Sequence, residues 1–314
     1  MALWPIHRTY LSLSSLAVAV CAASACAHAE TKVLATIKPI HALVAQVMGA
    51  TGTPDLLVGG TASPHTYVMK PSDAKKLAAA AIVFRVAETI DPFVTKAAAG
   101  LPKTTLVVTL AKASGVTTLP QRAGGAFEAD HDDDHGHVHG HDAVDGHVWL
   151  DPVNAKAMLD AIATTLAERV PESAAAYRRN ADAAKVRIDE LAAELALTLS
   201  PVAGRPYVVF HDAYQYFEKR FGLSVAGSIT VNPDIPPSGK RLSKLRAKIA
   251  GLGVACVFGE PNFDAKVIAT VIEGSSARSG TLDPEGANLS PGPELYGMLM
   301  RNLASGLKAC LQPS

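Results

Sequence analysis

Three histidines and one aspartate stand where metal chemistry would need them. His65 lies in Ser63-Pro64-His65-Thr66-Tyr67 and His147 in Asp145-Gly146-His147-Val148-Trp149-Leu150-Asp151-Pro152. His211 lies in Val208-Val209-Phe210-His211-Asp212-Ala213 and Asp283 in Gly280-Thr281-Leu282-Asp283-Pro284. His65, His211 and Asp283 follow short β-branched runs, and in open α/β sheets ligands bind beyond the carboxyl ends of strands. Three neutral imidazoles with a carboxylate or water make a tetrahedral zinc site. Taken singly, each histidine is more often structural. Asp283 could instead cap the turn before Pro284, and Asp212 the following helix. His41, in Lys38-Pro39-Ile40-His41, falls in a first helical turn and ranks below the other three.

A second metal-competent stretch is compositionally foreign. Residues 124–146 include Asp130-His131-Asp132-Asp133-Asp134-His135-Gly136-His137-Val138-His139-Gly140-His141-Asp142. With almost no apolar residues it predicts a mobile loop. His131, His135, His137, His139 and His141 would take up borderline metals weakly, since a floppy site loses entropy on binding. The alternative is a solvated linker with incidental histidines.

The elements that must position these residues alternate. Strands are expected at Lys32–Ile37, Asp55–Val58, Ile82–Val86 and Thr105–Thr109. Helices fall between them at Pro39–Met48, from a cap at Ser72 to Ala81, and at Asp91–Ala99. The rhythm returns with strands at Tyr207–Phe210, Leu223–Gly227, Val254–Phe258 and Gly280–Leu282. Helices there are expected at Ala213–Phe221, Ser238–Ala250, Asp264–Glu273 and Pro293–Leu311. Strand–helix alternation on both sides of a midpoint predicts an α/β protein of two lobes with largely parallel sheets. Between them Asn154–Val170 reads as helix, and Pro171–Leu199 as a long one without internal Pro or Gly. Leu191, Leu195 and Leu199 fall on one face of it. The division expected is residues 30–170, a linking helix 171–199, and residues 200–314.

Residues 1–29 read as a secretory leader. Arg8 ends a positive region, Leu11 to Ala25 is uncharged and apolar or small, and Ala27-His28-Ala29 is a cleavage site before Glu30. The alternatives are a buried N-terminal helix and a lipidated Cys26, whose context Ala23-Ser24-Ala25 lacks the usual Leu. Beyond the leader two cysteines remain, Cys256 and Cys310, an even pair in an oxidising compartment. One disulfide is expected; two buried free thiols are the alternative. Among 314 residues Lys+Arg number 29 and Asp+Glu 29, which argues against nucleic acid or an anionic membrane as main partner. A 48% hydrophobic content excludes wholesale disorder.

The ordered set of motifs is similar to the zinc-uptake solute-binding proteins of the ABC-transporter metal-receptor family, over essentially all of residues 30–314. It comprises Ala35-Thr36-Ile37-Lys38-Pro39-Ile40-His41, Ser63-Pro64-His65-Thr66-Tyr67 with Lys70-Pro71-Ser72-Asp73, and the acidic His-rich stretch. The His147, Phe210-His211-Asp212-Ala213-Tyr214 and Gly280–Pro284 segments complete it. The resemblance implies two α/β lobes joined by one long rigid helix, with one metal in the cleft. His65 and His147 would be first-lobe ligands and His211 the second-lobe ligand. Asp283 matches a position that ligates the metal in manganese members; in zinc members water or another carboxylate often fills the fourth place. Manganese members carry Glu where this chain has His211, and three imidazoles suit zinc over Mn²⁺. Some zinc members place a Glu beside the first His, where this chain has Pro64. Cys256 and Cys310 match a disulfide of some zinc members.

The function implied is capture of Zn²⁺ in the periplasm, by a monomer that is not an enzyme, and delivery to an inner-membrane ABC permease. The His-rich stretch would collect zinc weakly. Rival readings are a manganese or iron binder of the same fold, an exported zinc hydrolase, and a metal-buffering or adhesion protein. The hydrolase lacks H-E-x-x-H, and Glu260 is its best candidate base.

Overall fold

The computed structural model describes Met1 and residues 31–122, 143–230, 233 and 237–313. The leader with Cys26, and the five histidines of 131–141, lie outside the described residues. The rest belongs to one unit, Thr31–Ser314.

Two four-stranded parallel sheets form. The first uses β1 (Val33–Ala35), β2 (Asp55–Leu56), β3 (Ile82–Arg85) and β4 (Leu106–Thr109) in the order β2-β1-β3-β4. The second uses β5 (Tyr207–His211), β6 (Val225–Thr230), β7 (Cys256–Gly259) and β8 (Arg278–Thr281) in the order β6-β5-β7-β8. Each order reverses beside its first strand, which opens a crevice at the strand ends. Strand cores fall where apolar runs predicted them, but edges move. β6 extends to Thr230 rather than ending at Gly227, because Gly227, Ser228 and Thr230 pair with Val208, Val209 and His211. β8 starts at Arg278, opposite Cys256, rather than at Gly280.

The helices are α1 (Lys38–Met48), α2 (Pro71–Ala79), α3 (Pro92–Ala98), α4 (Pro152–Arg169), α5 (Ala174–Leu199), α6 (Gln215–Phe221), α7 (Gly239–Leu252), α8 (Ala265–Ile272) and α9 (Leu295–Leu311). Ser72 does not cap α2. The helix begins one residue earlier, with Pro71 in the first turn, and Asp73 reaches back to accept the Lys70 N–H at 3.0 Å. Ser238 and Asp264 do cap α7 and α8.

The long helix also differs slightly from expectation. Pro171–Ser173 is a 3₁₀ turn, and α5 proper runs 26 residues, about 39 Å. It buries Tyr177, Ala181, Ala184, Ile188, Leu191 and Leu195, at alternating spacings of four and three. That stripe lies against α4, α1 and α9, while the other faces of the helix are largely exposed. Cys256 of β7 and Cys310 of α9 form a disulfide. Among the described residues no helix is long and apolar enough to cross a membrane.

Candidate metal centre

His211 is the last residue of β5, and Glu260 follows the last residue of the adjacent β7. They therefore meet at the point where the second sheet reverses its strand order. His211 donates from Nδ1 to Glu260 Oε1 at 2.7 Å, and the Tyr214 hydroxyl donates to the same oxygen at 3.3 Å. All three side chains are buried. The pairing leaves His211 Nε2 pointing away from Glu260.

His147 is placed by a short hairpin. Leu119–Gln121 and Ala143–Asp145 pair antiparallel: Gln121 N–H donates to Ala143 O at 2.8 Å, and Asp145 N–H to Leu119 O at 2.9 Å. Residues 143–146, expected within the mobile stretch, are thus held in place. Tyr216 of α6 closes the hairpin, donating to Asp145 O at 2.6 Å and accepting from Leu119 N–H at 2.9 Å. Asp145 Oδ1 then receives both the His147 N–H at 3.0 Å and its Nδ1–H at 2.8 Å. Gly146 makes the turn possible, since a Cβ there would lie 2.5 Å from Ile90 Cγ1 and 2.5 Å from Thr89 Oγ1.

His65 comes from the loop after β2. Its N–H donates to Ser63 Oγ at 3.3 Å, and Tyr67 two residues on anchors the loop by donating to Asp73 Oδ2 at 2.6 Å. The three imidazoles converge, with ring centroids 5.2 to 5.4 Å apart. One ligand atom from each lies within 4.8 Å of the others. His147 Nε2 and His211 Nε2 are 3.3 Å apart, and His65 Nε2 is buried with no hydrogen-bond partner. A buried polar atom left unpaired is costly, so its place beside the paired nitrogens of two other imidazoles points to a ligand. Carboxylates behind His147 and His211 fix tautomer and orientation, as they do behind metal-bound imidazoles.

The charges bias two of the three rings toward the neutral, ligating form and the third away from it. Burial, reinforced by the neighbouring histidines, holds His65 well below its ordinary value. Burial and the nearby His211 do the same for His147. Burial also works against a charged His211, but the charge and hydrogen bond of Glu260 outweigh it and hold this imidazole above its usual value. Burial pushes Asp145 up to about 7.

Other candidates fall elsewhere. His41 donates from Nε2 to Pro54 O at 3.0 Å and is structural. Asp212 does not cap α6. It accepts both Nε contacts of Arg122 at 3.0 Å, and Arg122 also donates to Glu218 at 2.9 Å, tying the hairpin to α6. Asp283 lies outside the three-histidine group, and its Oδ1 accepts the Glu285 and Gly286 N–H groups at 3.2 and 2.8 Å. Glu260, considered as a base, is bound to the Nδ1 side of His211. The orienting role of Asp145 lies beyond the sequence reading above, although a carboxylate two residues before a histidine is a local signal for it.

The chain has relatives of nearly equal length. The high-affinity zinc uptake system protein ZnuA of Brucella abortus (strain 2308) is 42% identical over 334 residues, covering 98% of each chain. The protein of the same name from Paracoccus denitrificans (strain Pd 1222) is 38% identical, covering 94% of this chain and 97% of its own. Among solved structures, a zinc-bound ZnuA with residues 138–173 of its own numbering deleted superposes with a TM-score of 0.75 at 22% identity, covering 91% of this chain and all of that one. The family described as zinc-uptake complex component A, periplasmic, matches residues 33–310. By that match and these identities, the chain belongs to the family of periplasmic zinc-uptake complex component A.

Proposed function

We propose that the protein captures Zn²⁺ in the periplasm and delivers it to an ABC permease of the inner membrane. His65, His147 and His211 bind the ion as neutral imidazoles, and the fourth place goes to water or to Asp283. The observation that carries this reading is the convergence of three imidazoles from two lobes, two of them buried and already aimed by carboxylates. Three nitrogen donors suit zinc, whereas manganese favours a harder, oxygen-richer set. Family membership supports zinc over iron or manganese. A binding role is favoured over hydrolysis, because Glu260 is bonded to His211 rather than placed to activate water.

In this reading residues 1–29 are removed on export. Residues 30–170 and 200–314 act as lobes on either side of 171–199, in a monomer. The histidines at 131, 135, 137, 139 and 141 serve as a weak collecting site.

The test is competitive titration of residues 30–314 with Zn²⁺ and Mn²⁺, with and without residues 130–142. One tight zinc site is expected to survive the deletion, with much weaker Mn²⁺ binding. His65→Ala, His147→Ala and His211→Ala should each abolish it. Loss of all tight binding with the deletion would move the function to the His-rich segment.

A further inference from the structure

Lys38 and Asp283 both stand in motifs that the three-histidine site does not use, and the structure joins them. Lys38 opens α1 in the first lobe, yet its ammonium is buried against the second. Its Nζ donates to Gly286 O at 3.1 Å, Ala287 O at 2.6 Å and Leu289 O at 3.0 Å. An ammonium has three N–H donors, and all three are used. The carbonyl cage belongs to the turn that Asp283 begins. Asp283 Oδ1 closes that turn on the Glu285 and Gly286 N–H groups. Gly286 has φ +72°, and a Cβ there would lie 3.3 Å from Leu289 Cδ1, so the turn is tightly wound. A second bond from the other lobe holds its opposite end, where Trp149 Nε1–H donates to Pro284 O at 2.9 Å.

We propose that Lys38 is a specificity-determining residue of the metal centre: by pinning the 283–289 turn across the lobe boundary it keeps the Asp283 carboxylate out of the coordination sphere. The inference rests on the three-histidine zinc reading above and decides its fourth place in favour of water. Asp283 is near enough for the question to matter. The next residue, Pro284, accepts from Trp149 Nε1–H, and the Trp149 ring lies 5.2 Å from that of His147, centroid to centroid. Asp283 is nevertheless absent from the group of converging ligand atoms. Three imidazoles and water make a borderline-soft tetrahedral set. Adding an anionic oxygen raises both coordination number and hardness, which favours Mn²⁺ relative to Zn²⁺. Without the ammonium, the carbonyls of Gly286, Ala287 and Leu289 lose their donor and the turn must repack.

The experiment compares residues 30–314 as the parent, Lys38→Met, Asp283→Asn and the double variant. Each is titrated with Zn²⁺ and Mn²⁺ in competition, and the visible spectrum of the Co²⁺ form is recorded. Asp283→Asn is expected to hold zinc as tightly as the parent, with the same intense tetrahedral Co²⁺ band. Lys38→Met should lower the zinc-to-manganese affinity ratio about tenfold or more, the scale on which supporting groups tune a metal site. Its Co²⁺ band should weaken as coordination expands, and adding Asp283→Asn should restore both readings. A purely structural Lys38 would weaken both metals equally and leave the band shape alone, which overturns the proposal. A tenfold or greater loss of zinc affinity in Asp283→Asn also overturns it, by making Asp283 a ligand, and decides the matter even if Lys38→Met fails to fold. Failure of the parent to bind zinc tightly would instead defeat the three-histidine reading and this inference with it.

Discussion

His147 Nε2 and His211 Nε2 face each other at 3.3 Å across the lobe boundary, while the Nδ1 of each is turned to its own carboxylate. Two lone pairs cannot share that gap; a proton between them can. The biases on the two rings place it. His147, held low, is the acceptor, and His211, held above 6.5 chiefly by Glu260 against the effect of burial, is the donor. This arrangement would put a proton on the line along which the ion would bind.

Zinc binding should therefore release protons. Zinc needs His211 neutral, so affinity falls as pH drops through the raised value of His211, by about tenfold per pH unit. His65 and His147, held well below 6.5, do not compete in that window. Calorimetry at pH 6.5 in buffers of different ionisation enthalpy should read net proton release on zinc binding, from His211 and, where its ion pairing changes, from Asp145. No release at that pH would refute the bridging proton. In the metal-free protein the same raised value adds stability that is full below pH 6.5 and is lost as pH rises through the folded value.

Asp145→Ala and Glu260→Ala should each weaken zinc binding by about 10- to 100-fold without abolishing it. Both residues act through a histidine rather than on the ion. The measurement is competition against a chelator of known affinity, alongside a melting curve showing that the fold persists. Unchanged affinity in either variant would mean that its imidazole is aimed by packing alone.

Gly146→Ala should damage the site more than the fold. The added methyl has to displace Ile90 or Thr89, an overpacking that costs roughly 1–3 kcal/mol of stability. Relief by shifting the 145–147 backbone would break the pair of hydrogen bonds from His147 to Asp145. Zinc affinity is expected to drop at least about tenfold, and an unaffected affinity would show that the strain is absorbed by the 89–90 side instead.

Reducing the Cys256–Cys310 disulfide should lower stability while leaving the metal site intact. The link spans 54 residues of sequence, for which chain entropy alone gives about 4 kcal/mol. Chemical unfolding of the reduced and oxidised protein measures the difference. Zinc affinity under native conditions should match in the two forms, because neither cysteine touches the histidines or their carboxylates.

Much of this molecule is legible in its local sequence. The alternation of β-branched runs with helical stretches predicts two parallel sheets, because strand and helix periods are properties of a few consecutive residues. The cores of β1, β3, β4, β5 and β7 follow directly. Edges are less legible. Where β6 ends and where β8 begins depends on which residues of β5 and β7 lie opposite them. The first turn of α2 went unread because a proline overrode the serine beside it.

The candidate site divides the same way. His65, His147 and His211 can be picked out singly, since each sits in a short motif. Their separations of 82 and 64 residues say nothing about distance. Only the tertiary packing of the strand ends and loops that carry them brings one ligand atom of each within 4.8 Å of the others. The sequence by itself determined the kinds of donor available and the elements that carry them. The tertiary structure decided which nitrogen of His147 and of His211 is presented, through Asp145 and Glu260, and bonded Asp283 Oδ1 to the N–H groups of its own turn. The reason is physical: a side chain's type is local, but its direction depends on the hydrogen-bond partner that long-range packing sets beside it.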